Sequence, residues 1–151
     1  MQGYPGSKAA DQYLAQRVEG ASPEQLVAIL LEGGQKFLTM VLAAMASNDI
    51  PAKARHANRV SDFILEMSLR LNREEGGELV DNLDRIYKWW MDELFEAARK
   101  NEPQRLESLR NQMGILRGSW EELHRKKVLA LAGTSAGAGA RPGASLGEMV
   151  G

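Results

Sequence analysis

Few side chains in this sequence can do chemistry. Among 151 residues there are two histidines and no cysteine. The missing thiols exclude disulfides, iron–sulfur clusters, thiolate zinc sites and cysteine nucleophiles. His124 closes the run Glu121-Glu122-Leu123-His124, a Glu-x-x-His pattern that forms half of a carboxylate-bridged di-iron site. Bundles of that kind need the pattern on two helices. The other histidine, His56, has Lys53 three residues before it rather than a carboxylate, so no metal is expected. His124 also has Lys127 three residues on, a spacing that suits a histidine receiving a phosphoryl group. Arg125, Lys126 and Val128 are bulky where such a site needs small neighbours. The plainer reading is a surface histidine near a helix C-terminus, where cations suit the dipole. Arg125, Lys126 and Lys127 then form a solvated helix end rather than a nucleic-acid site. The glycine-rich tail lacks the Gly-Lys-Ser/Thr of a phosphate-binding loop. These residues assign no catalytic side chain and no cofactor, and the chain is expected not to be an enzyme.

The elements that carry these side chains are marked by prolines and glycines. Hydrophobic residues make up 44% and charged residues 26%, enough apolar material for a packed core. The formal net charge of -1 gives no general attraction to nucleic acid or an anionic membrane. No signal peptide is visible at the N-terminus, no stretch reads as a membrane span, and the expected compartment is the cytoplasm. Pro23, Pro51, Pro103 and the pair Gly76-Gly77 divide helix-forming text into segments at about 23–47, 51–73, 77–100 and 103–129. Each would span roughly 35–40 Å at 1.5 Å per residue. Four similar helices with short connections predict an all-α fold, an antiparallel up-and-down four-helix bundle over residues 23–129. Ser22-Pro23-Glu24-Gln25 reads as a capping box that starts the first helix. Residues 1–22 read as a mobile segment that caps the bundle, and 130–151 as a flexible Gly/Ala-rich tail.

On a helical wheel the fourth segment gives one narrow stripe, Leu106, Leu109, Met113, Leu116, Trp120 and Leu123, which predicts core. The third places Leu79, Leu83, Ile86, Trp90, Leu94 and Ala97 inward and leaves Trp89 on the polar side. The second buries Val60, Phe63, Ile64, Met67 and Leu71 and leaves Leu65 and Leu69 outside. The first segment is apolar over roughly 220° of its wheel, against the ~100° or more of a surface helix. Either it is unusually buried in the bundle, or the N-terminal segment or a partner covers part of it. The apolar residues off the core stripes are Tyr13, Val18, Val27, Leu31, Leu38, Leu65, Leu69, Trp89 and Ile115, and these are the candidate partner contacts. Several exposed large apolar residues on neighbouring helices suit a furrow that receives an amphipathic helix.

The residues that punctuate the helices resemble the flagellar secretion chaperone FliS family. The family's opening tyrosine and its Asn-Gln-Val-x-Thr-Ala-Ser-Pro run are similar to Tyr13, Val18, Ala21, Ser22 and Pro23 here. The leucines and the Leu-Tyr-Asp-Gly that follow are matched in part by Leu26, Leu30 and Gly33. A Gly-Gly-Glu, an Asn-Leu pair and a tyrosine recur as Gly76, Gly77, Glu78, Asn82, Leu83 and Tyr87. A Leu-Arg-x-x-Trp recurs as Leu116, Arg117 and Trp120. The likeness runs in order from about Tyr13 to Leu123. The chain departs from the pattern at Arg17, Gly20, Leu31, Glu32 and Asn72, and Arg17 and Leu31 fall in the region that bears on client choice.

The resemblance implies a cytoplasmic, non-enzymatic chaperone that binds the C-terminal helical segment of flagellin. It would prevent premature polymerisation and deliver the subunit to the flagellar type III secretion apparatus. Flagellin is the implied partner, with the export gate as a further one. Neither nucleic acid nor a cofactor is expected, and the chain is expected to be a monomer or a weak homodimer. The residues alone also leave open a histidine phosphotransfer bundle that uses His124.

Overall fold

The computed structural model describes residues 15–136, with side chains to residue 133. Every regular element among the described residues is helical. A short helical turn at 15–19 precedes four long helices: α1 (Pro23–Ala46), α2 (Ile50–Leu69), α3 (Glu78–Lys100) and α4 (Pro103–Ala136). Tyr13, and the expected tail from 137 onward, lie outside the described residues.

Local chemistry explains where the helices begin and end. The Ser22 hydroxyl accepts the Gln25 N–H at 3.1 Å, and the Gln25 side chain accepts the Ser22 N–H at 3.0 Å. This satisfies two donors that a helix start leaves open, and Pro23 follows at the first helical position, where no N–H is needed. Asp49 caps α2 by accepting the Ala52 N–H at 3.1 Å. The glycine pair is required by its backbone, since Gly76 and Gly77 have φ of 62° and 101°. α2 stops at Leu69, four residues before the expected end, and Arg73 then bridges back to Ser68 and forward to Asp84 at 2.8 Å. α4 continues seven residues past the expected limit of 129, to Ala136. Pro142 is the next residue that forbids a helix, and the Ala/Leu text of 128–132 keeps helix propensity high.

Each helix packs on its chain neighbour, and α4 returns to pack on α1. The start of α1 lies beside the far part of α4, where Glu24 pairs with Lys127. Further along α1, Thr39 accepts from Arg110 at 3.0 Å. Likewise the start of α2 meets the end of α3, where Lys53 donates to the Ala98 carbonyl at 2.8 Å. The core between the helices is built from Leu30, Leu31, Leu38, Val41, Val60, Ile64, Met67, Trp90, Leu94, Leu106, Leu109 and Met113. Towards the far end of α4 it thins, because Leu116 and Trp120 are partly buried and Leu123 is half-exposed.

α1 departs from expectation in two ways. It is long and apolar enough, by length and composition, to cross a membrane, which the sequence reading did not anticipate. Here much of that apolar surface is buried between α2 and α4. For the same reason Leu31 and Leu38, expected as partner contacts, are fully buried core residues. The residues around them on α1 contact α4: Gln35 donates to the Arg110 carbonyl at 3.3 Å, and Gly34 lies against Met113. The side of α1 that carries Leu31 and Leu38 therefore faces α4.

Gly33 lets the Phe63 ring of α2 pack directly against the backbone of α1. A Cβ there would stand 2.6 Å from the Phe63 ring, which stacks on Phe37 at 5.9 Å and is itself buried. Gly33→Ala is expected to lower stability by roughly 1–2 kcal/mol. The gain in helix propensity of about 0.5–1 kcal/mol falls short of an overpacking cost of about 1–3 kcal/mol. Urea unfolding of the two proteins checks this, and an unchanged or raised midpoint would show that Phe63 moves aside freely.

Candidate functional site

The candidate surface lies along α3 and α4, and its width is set by polar contacts between them. Arg105 near the start of α4 holds both carboxylate oxygens of Glu93, at 2.7 and 2.8 Å, and also reaches Glu96 at 2.8 Å and Glu102 at 2.7 Å. Hydrogen bonding to Arg105 holds the Glu93 and Glu96 carboxyls below their ordinary value. Two turns further on, the Trp90 indole N–H donates to the Gln112 side chain at 2.9 Å. These contacts fix the register: moving forward along α4 from Gln112 means moving back along α3 from Trp90.

That register brings Ile115 level with Ile86 and Trp89. Ile115 is 67% exposed, Trp89 49%, Ile86 37%, and Leu79, two turns before Ile86, 64%. All four stand at the edges of the α3/α4 furrow. Leu116 and Trp120 pack against the core next to it. On this side of α4 the residues Ser108, Asn111, Gln112, Ile115, Gly118 and Ser119 carry no charge. Gly118 has open space where a Cβ would stand. An uncharged seam of small residues flanked by large apolar ones lets a helix come close and bury apolar surface.

By this register Trp89 and Ile115, two of the residues expected as contacts, fall at the same level of α3 and α4, and both are exposed. The structure adds Ile86 and Leu79, which the wheel had placed inward. Both lie on the α4-facing flank of α3 rather than at the centre of its core stripe, which is the signal that was available. Leu65 and Leu69 are 50% and 70% exposed, but on the outer face of α2, away from the furrow. Val27 is half-buried against the core, and Val18 is half-buried in the 15–19 turn.

The two histidines hold structural positions. His124 is half-buried, with its Nδ1 3.0 Å from the Ser22 hydroxyl at the start of α1. It lines a cavity of about 180 Å³ with Ala28, Ile29, Glu121 and Arg17, and Arg17 pairs with Glu32 at 2.9 Å. His56 packs 6.0 Å from the Phe37 ring, and burial pushes its imidazole below the ordinary value. Among the described residues, no three metal-binding side chains converge.

Comparison with known proteins gives one consistent answer. A protein of Pseudomonas aeruginosa called flagellar secretion chaperone FliSB is 30% identical over 118 residues, covering 76% of this chain and 94% of that protein. Flagellar secretion chaperone FliS of Vibrio cholerae is 28% identical over 107 residues, covering 71% and 79%. FliS of Salmonella typhimurium is 26% identical over 110 residues, covering 72% and 82%. The family model described as flagellar protein FliS matches residues 6–127, which takes in all of α1, α2 and α3, the α3/α4 furrow and the His124 contact. The chain therefore belongs to the FliS family, whose curated relatives are flagellar secretion chaperones.

Proposed function

We propose that this chain is a cytoplasmic export chaperone that binds the C-terminal helical segment of flagellin along the α3/α4 furrow. In this reading it prevents premature polymerisation and delivers the subunit to the flagellar type III secretion apparatus, with the export gate as a further partner. The observation that carries it is the set of exposed apolar residues Leu79, Ile86, Trp89 and Ile115, beside the uncharged stretch of α4 at Ser108, Asn111, Gln112, Gly118 and Ser119. A segment that is disordered alone and helical in a filament needs an apolar surface in place of its filament neighbours. Ordering such a segment costs about 2–5 kcal/mol or more of the gross interaction, which keeps the complex reversible enough for handover. Leu65 and Leu69 on α2, and Val18 with Tyr13 in the N-terminal segment, are proposed secondary contacts. Val27, half-buried, is the weakest of the proposed contacts.

The same reading takes the four helices as an antiparallel up-and-down bundle. The meeting of Glu24 with Lys127 and of Lys53 with Ala98 supports it. The proposed role needs no catalysis and no cofactor. Calorimetric titration with the C-terminal segment of flagellin tests it. The expected result is one-to-one binding with a negative heat-capacity change, the mark of apolar burial. An intact protein that shows no heat and no binding would overturn the client assignment.

A further inference from the structure

The sequence runs on from the end of α4 at Ala136 to residue 151, and the family match ends before this tail begins, at residue 127. The composition of the tail is uneven. Residues 137–145 are Gly, Ala, Pro and Ser apart from Arg141, whereas 146–150 read Leu-Gly-Glu-Met-Val. Its large apolar side chains, Leu146, Met149 and Val150, therefore stand at the far end of a linker of small residues.

The furrow offers positions that match them. Leu79 and Ile86 are exposed and seven residues apart, which is about 10.5 Å along α3. Leu146 and Met149 are three residues apart, and three residues of polyproline-type chain cover about 9.3 Å and return to the same side. The reach agrees. Leu79 is eleven residues before Trp90 and Leu123 eleven after Gln112, so the Trp90–Gln112 bond sets Leu79 level with Leu123. From Leu123 to Ala136 is about 20 Å of helix. The ten residues from 137 to 146, as a Gly-rich chain, have an r.m.s. span of about 16–19 Å. Charge agrees too. Arg85, one turn before Trp89, meets only Asn82 among the described residues, and Glu148 lies between Leu146 and Met149.

We propose that residues 146–150 of this chain's own tail occupy the α3/α4 furrow, with Leu146 at Leu79, Met149 at Ile86 and Trp89, and Glu148 beside Arg85. The tail then runs back along α4, parallel to α3. A linker whose r.m.s. length matches the span gives the highest effective concentration, in the millimolar range, so a contact too small for a separate peptide is made within one chain. It covers apolar surface that otherwise faces water, and it gives way to a longer amphipathic segment that buries more. Its effect on flagellin rests on the proposed function. A furrow closed about nine-tenths of the time lowers client affinity about tenfold.

The chain has no cysteine, so Gly151→Cys takes a single nitroxide label in the full chain. NMR of the labelled protein tests occupancy with no client present. The expected result is broadening of the Ile86, Trp89 and Ile115 amide signals that does not change with protein concentration. The double substitution Leu146→Ser/Met149→Ser should remove it, with the bundle unchanged by circular dichroism. Arg85→Glu should reduce it. In calorimetric titration, the unlabelled double variant should bind the flagellin segment about three- to tenfold more tightly than the unaltered chain. Broadening confined to the end of α4 around Val128, or centred on Leu65 and Leu69, overturns the proposal. So does broadening that grows with concentration, which assigns the contact to another copy's tail, or that survives the double substitution. Broadening in the furrow with a client affinity indifferent to the double substitution overturns the competition. Broadening in the furrow with no flagellin binding by either protein upholds the tail contact and overturns the client reading alone. Flagellin binding without any broadening does the reverse.

Discussion

Leu38→Ala is expected to destabilise the protein by about 3 kcal/mol and to lower its thermal midpoint by roughly 10 °C. Leu38 is fully buried, within a core that includes Leu31, Val41, Leu109 and Met113. Truncation removes the transfer energy of three carbon atoms and leaves a cavity, because α1 is held between α2 and α4 and cannot collapse into it. Against a total stability of about 5–15 kcal/mol, that is a large share. Leu38→Asp would bury a charge with no partner in place of the methyls and is expected to abolish folding. Leu65→Ala on the outer face of α2 is the control, with an expected change within about 0.5 kcal/mol. Thermal and urea unfolding distinguish these outcomes. A Leu38→Ala protein that kept its midpoint and lost only client binding would return Leu38 to the contact surface.

That contrast shows how far the sequence could be read. Caps and breaks depend on a few adjacent residues, so Ser22 with Gln25, and the Gly76-Gly77 turn, were legible. Core stripes such as Leu106, Leu109 and Met113 follow from period alone. The number of neighbours a helix has is a tertiary fact, and it decides whether a second stripe is core or surface. Leu31 and Leu38 were misread for this reason: α4 closes on the side of α1 that a wheel leaves open. Ile86 and Leu79 were misread in the other direction. They sit at the flank of their stripe, and whether a flank is covered depends on the spacing of α3 and α4. The Arg105 cluster and the Trp90–Gln112 bond set that spacing, and both pair residues 12 or 22 positions apart. The far end of α4 falls in the stretch from 130 onward that the sequence assigns to a Gly/Ala-rich tail. Gly133 lies within the helix, and no residue before Pro142 forbids it.

Trp89→Ala is expected to weaken binding of the flagellin segment by about thirtyfold while the thermal midpoint stays within a few degrees. A half-exposed tryptophan facing an uncharged stretch of α4 has the type and position of an interface anchor, and truncating such anchors costs about 2 kcal/mol or more. Little of that side chain supports the core, which is why stability should hardly change. Ile115→Asp attacks the opposite edge. It places a carboxylate on a seam without charges, where a docked apolar helix would desolvate it, and a loss of about tenfold or more is expected. If both residues hold one helix, the double variant should lose less than the sum of the two, since a client already lifted from one edge makes poor contact with the other. Leu65→Asp, on the separate face of α2, asks a different question. A loss comparable to that of Trp89→Ala would mean that the client wraps from the furrow onto α2, and no loss would confine it to α3 and α4. Calorimetric titration of the four variants reads all of this. Unchanged affinity in both Trp89→Ala and Ile115→Asp, with folded proteins, would remove the furrow as the client site and leave the outer face of α2 as the next surface to test.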